Sequence, residues 1–424
     1  MMDDEILIIG AGACGLMAGR LLAQKGHRVT IVEARDRSGG RIWTDETAFS
    51  APVEMGAEFI HGNQPLTMSL VQQSESEISE MKGKWYQLRN SRVSEANMFN
   101  AQWDEMLKEI KQLREDTDIA SFLMQKFPGP RYAQLREDVF QFTEGYDAAD
   151  PHRVSAFALR EEWLESDDSS QYRIIGGYAR IISFLEKEFH AAGGKLRLSA
   201  EVVRIAWERG NVKLHLKNDE LIEGSKAIVT IPTGVLQNRR PEFTPRLPFP
   251  DESVQKLGFG GVIKFQIEFT KQFWRDVISR KYIDMAFILT DAEIPTWWSS
   301  SRNVPVLTGW WGGPSTFNNS YSEQSLYERA IRSLAYIFGS DEEAIRKHVV
   351  HWRIANWVSD QNSCGAYGYA TVDAEKVTTM MREPVDDTIY FAGEALYTGA
   401  AMGTVEAALV SGRDVSKKLS GLHK

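Results

Sequence analysis

Glu5 to Ile9 is a short apolar run that leads directly into Gly10-Ala-Gly12-Ala-Cys-Gly15, and this junction constrains the chain more than any other feature. The run predicts a buried strand, Leu16 to Lys25 predicts a helix ended by Gly26, and His27 to Val32 predicts a second strand that delivers Glu33. A strand, a glycine-rich turn, a helix and an acid at the end of the next strand form the βαβ fingerprint of a dinucleotide site. Gly10 permits the tight turn, Gly12 admits backbone to the pyrophosphate, Gly15 lets helix and strand pack closely, and Glu33 accepts hydrogen bonds from a ribose. The plainer alternative is a glycine turn before a packing helix, without strand or acid having a purpose. These residues do not separate NAD from FAD, because the adenosine half of both is read in the same way.

The size of the chain suits such a fold. Its 424 residues suggest two or three domains with a large core, and 43% hydrophobic with 25% charged residues is ordinary globular composition. A formal charge of -9 disfavours a nucleic-acid partner and mildly attracts cations, amines among them. Cys14 and Cys364 are the only cysteines, so no disulfide framework is expected. Asp3, Asp4 and Glu5 ahead of the first apolar run do not match a secretory signal, no stretch reaches membrane-spanning length, and the polar end from Ser416 to Lys424 is no anchor. The reading is a cytoplasmic protein with no membrane partner, monomeric or homodimeric.

The residues that follow Glu33 narrow the nucleotide. Gly39-Gly40-Arg41-Ile-Trp-Thr44 and Met55-Gly56-Ala57-Glu58-Phe-Ile-His61-Gly62 make the chain resemble the flavin-containing amine oxidases. The resemblance implies FAD and assigns Arg35, Gly39, Gly40, Arg41, Gly56 and Ala57 to its site. Two glycines allow close backbone approach, and Arg41 offers a planar, permanently charged fork to an oxyanion. Read without the resemblance, Arg41 is a loop arginine.

Further matches come in the same order as in that family. Ile174-Ile-Gly176-Gly177-Tyr178 resembles its return into the flavin domain, with Val202 and Val203 where backbone meets adenine. Strands are expected over Lys195 to Leu198 and Glu201 to Trp207, and Val212 to Leu216 followed by Ala227 to Ile231 reads as a β-meander. Thr388-Ile-Tyr-Phe-Ala-Gly393-Glu394 resembles a strand entering the cofactor site. Gly403-Thr404-Val405 then opens a helix whose positive end, by the resemblance, faces the flavin's pyrimidine edge. Between these pieces, residues 76–173 show helical spacing, as in Trp103 to Leu113, and residues 251–384 show alternation and many tryptophans. The expected class is α/β. A Rossmann-type FAD-binding domain (1–75, 174–250 and 385–424) is interleaved with an α+β substrate-binding domain (76–173 and 251–384).

A second nucleotide fingerprint is absent, so the substrate itself should supply the hydride and dioxygen should accept the electrons. The resemblance implies oxidation of a small amine: hydride transfer from the α-carbon to flavin N5, imine hydrolysis, and reoxidation by O2 with release of H2O2. Three residues are candidates for the chemistry. Gly261-Val-Ile-Lys264-Phe-Gln-Ile resembles the family's strand whose lysine holds a water beside the flavin. Alternation by itself puts Phe265, Ile267 and Phe269 on one face and Lys264, Gln266 and Glu268 on the other, which would leave Lys264 in solvent. Tyr367 matches one wall of the aromatic pair that holds the amine, and His61 matches a histidine of the polyamine-oxidising members.

Trp357 and Ser363-Cys-Gly-Ala366-Tyr367 resemble the segment before the flavin's dimethylbenzene edge. Covalently flavinylated members carry a cysteine where this chain has Ala366, so the FAD is expected to be non-covalent, and Cys364 reads as a buried inert thiol. The second aromatic wall is altered as well, with Tyr397-Thr-Gly-Ala-Ala-Met402 leaving small side chains nearest Gly403. Two rival readings share the glycine motifs: a flavin desaturase or porphyrinogen-type oxidase, and a flavoprotein module without catalysis.

Overall fold

The computed structural model describes residues 5–96, 101–165, 170–276, 282, 284–300, 304–317 and 321–421, so Asp3, Asp4 and the last three residues of the expected polar tail lie outside the described residues. Strand β1 (Glu5–Ile9), helix α1 (Ala13–Gln24) and strand β2 (Arg28–Val32) form the expected βαβ unit. The helix begins at Ala13, ahead of the apolar periodicity, because Ala13, Cys14 and Gly15 are small enough to wind directly out of the turn and are all buried.

Five parallel strands build the sheet around this unit, in the order Lys195–Arg197, β2, β1, Lys226–Val229 and Ile389–Phe391. Both faces of β1 are covered, which is why it reads as a continuous apolar run rather than an alternating one. Ile6 and Ile8 pack with α1, the helix Ala179–Ala191 and the C-terminal helix Val405–Leu419; Leu7 and Ile9 pack beneath the antiparallel strands Val202–Glu208, Asn211–Leu216 and Leu221–Gly224. The expected meander is corrected here. Lys226–Val229 leaves it and pairs with β1, because Ala227, Ile228 and Val229 are apolar on both faces and are fully covered only inside a parallel sheet.

A second, seven-stranded sheet runs in the order Val349–Asn356, Val262–Phe269, Val306–Gly312, Thr296–Ser299, Met285–Thr290, Lys84–Arg89 and Arg92–Glu95. Its last two strands correct the helical reading of the segment after residue 76. They form a hairpin whose turn residues Asn90 and Ser91 both have positive φ, 49° and 61°, a turn whose twist matches that of the flanking strands. Helices follow, including Ala101–Lys111, where helical spacing predicted one. Among the described residues no helix is long and apolar enough to cross a membrane.

Candidate active site

A single cavity of about 1090 Å³ runs from the carboxyl end of β2 to the seven-stranded sheet. At its nucleotide end, Gly10 adopts φ +109°, and a Cβ at Gly15 would stand 2.0 Å from the Gly10 carbonyl oxygen, so helix and turn are in backbone contact. Gly15 is buried behind the turn and does not line the cavity, whereas Gly10, Gly12, Gly39 and Gly40 do. A Cβ at Gly12 would meet only the Gly39 carbonyl, at 3.9 Å, so the space before the turn is open to a ligand. Glu33 lines the same cavity, only 6% exposed, and its two oxygens accept the N–H groups of Ala11 (2.8 Å) and Arg35 (2.9 Å).

Arg35 also lines the cavity, and its side chain clamps Asp360 with two bonds of 2.9 and 2.7 Å and Ser363 with one of 3.0 Å. Burial pushes the Asp360 carboxyl up, but this fork outweighs it and holds the group below the usual carboxylate range. Val203 is 43% exposed and lies between Val202 and Arg204, where the ladder to the next strand shifts register, so its backbone stands free at the cavity wall.

Toward the other end, Arg41 lines the cavity with its guanidinium tied to Glu394 (2.7 Å) and to the Ala366 carbonyl (2.5 Å). Glu394 is buried, which raises its pKa, yet Arg41 and the N–H groups of Gly368 and Ala395 bring it below the ordinary value. Gly56, Ala57, Trp357 and Gly393 complete this part of the wall, with the Trp357 indole donating to the Met55 carbonyl at 3.0 Å. Gly403, Thr404 and Val405 line it too. The Thr404 hydroxyl accepts the Ala407 N–H and so caps the helix Val405–Leu419 at the end that meets the cavity. The open glycine turn, the long cavity and this helix end fit FAD.

Beyond the ring end lies Lys264, and its environment overturns the solvent reading. The strand Val262–Phe269 is buried on both faces, with Lys264 0% and Gln266 1% exposed. Phe265, Ile267 and Phe269 enter the core of the second sheet. The polar face is covered by the 44–58 segment: Gln266 donates to the Glu54 carbonyl (2.8 Å), Glu268 accepts from Ser50 N–H (3.1 Å), and Lys264 Nζ donates to the Gly56 carbonyl (3.0 Å) and to Glu58 Oε2 (2.7 Å). Glu58 Oε1 also accepts Arg173 Nε at 2.8 Å and Trp298 Nε1 at 3.0 Å. Burial opposes ionisation of Glu58, but Lys264 and Arg173 bring its pKa below the ordinary value. The Glu54 carboxyl, accepting from Tyr178 N–H and the Thr44 hydroxyl, is instead pushed by burial up to about 7.

Tyr367 and His61 line this same end. The Tyr367 hydroxyl donates to the Tyr146 carbonyl at 2.6 Å, and its ring lies nearly parallel to Trp310, centroids 6.4 Å apart. Burial raises the Tyr367 pKa well above its ordinary value, so the phenol stays protonated. The His61 ring stands edge-on to Tyr146 at 5.3 Å. Where a second aromatic wall was expected to be altered, Ala400, Ala401 and Met402 line the cavity while Tyr397 does not, and a Cβ at Gly403 would come within 3.1 Å of the Tyr367 ring. Cys364 is only half-buried, which corrects the expectation of a buried thiol; its Sγ lies between Arg240 Nη2 (3.3 Å) and the Gln361 carbonyl (3.5 Å) in a partly exposed loop, whereas Cys14 is buried.

Glu58, Arg173, Trp298 and Trp310 were not singled out by sequence reasoning. The available signal was an acid at position 58 inside an otherwise apolar stretch from Met55 to Ile60.

A parallel sheet carrying a glycine turn is thus joined by one cavity to a buried lysine and facing aromatic rings, a layout that fits the FAD-dependent oxidoreductases. The sequence profile of the flavin-containing amine oxidoreductases matches residues 13–419, and the chain belongs to that family. It is 26% identical over 447 residues to polyamine oxidase 3 of Oryza sativa subsp. japonica, covering 96% of this chain and 88% of that protein. To polyamine oxidase 2 of Arabidopsis thaliana it is 27% identical over 453 residues, covering 97% and 88%. Putrescine oxidase bound to putrescine superposes with a TM-score of 0.82 at 20% identity, over 99% of each chain. Cyclohexylamine oxidase from Brevibacterium oxydans IH-35A gives 0.79 at 19% identity, also over 99% of each. The protein is a flavin-dependent amine oxidoreductase, and FAD is its cofactor.

With Ala366 immediately before Tyr367, no thiol stands at the position that flavinylated members use, and Cys364 lies two positions earlier. Acid or heat denaturation should therefore release all the FAD into the filtrate. Yellow colour retained by the precipitated chain would show a covalent bond.

Proposed function

We propose that this protein oxidises a primary or secondary alkylamine, giving an imine that hydrolyses, with O2 as electron acceptor and H2O2 as product. The observation that carries the reading is Lys264, a fully buried side chain whose Nζ donates to two acceptors at the cavity wall and lies 5.6 Å from the centroid of the Trp298 ring, with a third N–H that neither acceptor takes. When bound, FAD would supply the redox chemistry, as the two-electron acceptor for the amine's α-carbon hydride. The chain's residues do the rest. Lys264 would hold a water by its remaining N–H, ready for the imine. Tyr367 and Trp310 offer aromatic faces that orient an amine and exclude bulk water. His61, at the same end, is placed to approach the substrate. Gly10, Gly12, Glu33, Val203, Gly39, Gly40, Arg41, Gly403, Thr404 and Val405 would hold the cofactor, with Gly15 supporting the turn from behind.

We further propose the domain division already drawn, with boundaries near 76, 174, 250 and 385.

An anaerobic screen of mono-, di- and polyamines tests the reading. At least one amine class should bleach the visible flavin band, and admission of air should restore it with about one H2O2 per cycle. A flavoprotein that stays yellow with every amine would instead be a module without catalysis.

A further inference from the structure

Glu58 stands between two cationic side chains, the partly buried Arg173 and the fully buried Lys264. On one side, Arg173 and Trp298 fix its Oε1, and the Arg173 guanidinium also donates to the carbonyls of Ser300 (2.6 Å) and Ser299 (3.1 Å) and to Met81 Sδ (3.0 Å). Arg173 also lies over the Phe59 ring, 4.8 Å from its centroid. The carboxylate is thus oriented from behind by groups that cannot follow it. Its other oxygen, Oε2, takes Lys264 at 2.7 Å. With three donors on its two oxygens, Glu58 has little capacity left to bind substrate or accept its proton, although it lines the cavity.

The charges near Lys264 add to this. Lys264 and Arg173 are the cations, and Glu54 and Glu58 are the carboxyls that act on Lys264. Only Glu58 touches Lys264; the Glu54 carboxyl oxygens are occupied by Tyr178 N–H and the Thr44 hydroxyl. Taking an ammonium group out of water is costly unless an anion is held against it, and here that anion is the Glu58 carboxylate at 2.7 Å.

We propose that Glu58 is a positioning residue for amine oxidation: locked from behind by Arg173 and Trp298, it holds Lys264 as an ammonium at the cavity wall. The proposal rests on the reading that Lys264 works beside the flavin. It makes the lysine a donor with a fixed charge, not a proton acceptor, and it gives position 58 a function distinct from its glycine-rich neighbours.

The test uses the FAD-loaded protein and the probe sulfite, an anion whose equilibrium binding to the flavin is read from loss of the visible band. Dissociation constants are measured from pH 6 to 9 for the parent, Glu58→Gln, Lys264→Met and the double variant, and each is divided by the parent value at the same pH. Lys264→Met should weaken sulfite binding about tenfold at every pH. Glu58→Gln should bind at least as tightly as the parent at pH 6 and lose about tenfold relative to it by pH 9, as the unpaired lysine deprotonates. In the double variant that pH dependence should vanish. A merely structural pair would give a Glu58→Gln ratio that does not change with pH, and this result overturns the proposal while leaving Lys264 in place. If Lys264→Met itself matches the parent, the lysine reading fails first, and the role of Glu58 with it. Should Glu58→Gln not retain FAD, Glu58→Asp keeps the charge but draws it back by one methylene; a fall of about threefold by pH 9 is expected there, and a constant ratio overturns the proposal.

Discussion

Lys264→Met is expected to purify with its full complement of FAD and to turn amine over about a hundredfold more slowly than the parent, the size of effect typical when one polar group at the reacting centre is lost. Methionine keeps most of the stem's volume inside the buried strand but removes every donor. Glu58 loses one partner and keeps Arg173 and Trp298, so the loss of stability should sit near the lower end for a broken buried ion pair, about 3 kcal/mol. Thermal melting measures that loss. Stopped-flow traces of anaerobic bleaching and of colour recovery in air, taken separately, show which half of the cycle the lysine serves. Parent-like rates in both phases across the pH range would end the assignment of Lys264, and His61, in the same end of the cavity, becomes the next residue to vary.

Gly15→Ala should cost the protein its cofactor. The added methyl would lie 2.0 Å from the Gly10 carbonyl oxygen and 3.0 Å from the Thr230 hydroxyl. Backbone cannot yield as a side-chain tip can, so the turn has to open, and the N–H groups meant for the pyrophosphate move apart. Overpacking of this kind costs on the order of 3 kcal/mol, and FAD affinity should fall by a hundredfold or more. Gly26→Ala is the control. It also has a positive φ, 87°, but no atom lies within 4 Å of its Cβ, so it should lose about 1 kcal/mol and no flavin. Flavin content per chain, from the ratio of visible to ultraviolet absorbance, decides the matter. Full occupancy in Gly15→Ala would mean that the turn tolerates opening and that the close packing of α1 on β1 is not what shapes the site.

What the sequence made legible was local. The glycines at 10, 12 and 15 with Glu33 place a nucleotide turn because each meets a requirement of backbone geometry within one βαβ unit. Thr404 ahead of Val405 marks a capped helix for the same reason, and Val262 to Phe269 alternates as a strand does. The hairpin of Lys84–Arg89 and Arg92–Glu95 was hidden because its turn, Asn90-Ser91, lacks the glycine that usually marks positive φ. Lys226–Val229 was assigned to the wrong sheet because a wholly apolar run does not say which strands will flank it.

The tertiary structure alone decided what covers each face. Alternation along 262–269 separates Lys264, Gln266 and Glu268 from the phenylalanines, but it is equally satisfied by water or by another segment over the polar side. The segment that lies there comes from some two hundred positions earlier and brings Glu58 to Lys264, while Arg173 and Trp298 arrive from two further strands. Arg35 meets Asp360 across a still longer span of chain, 325 positions. Such pairings depend on how two sheets close around one cavity, and no local period or spacing encodes them. The sequence by itself therefore determined the nucleotide turn, the capped helix and the residues that share a face; the packing of the two sheets determined that a lysine which could have been solvated is a buried cation with a carboxylate fixed against it.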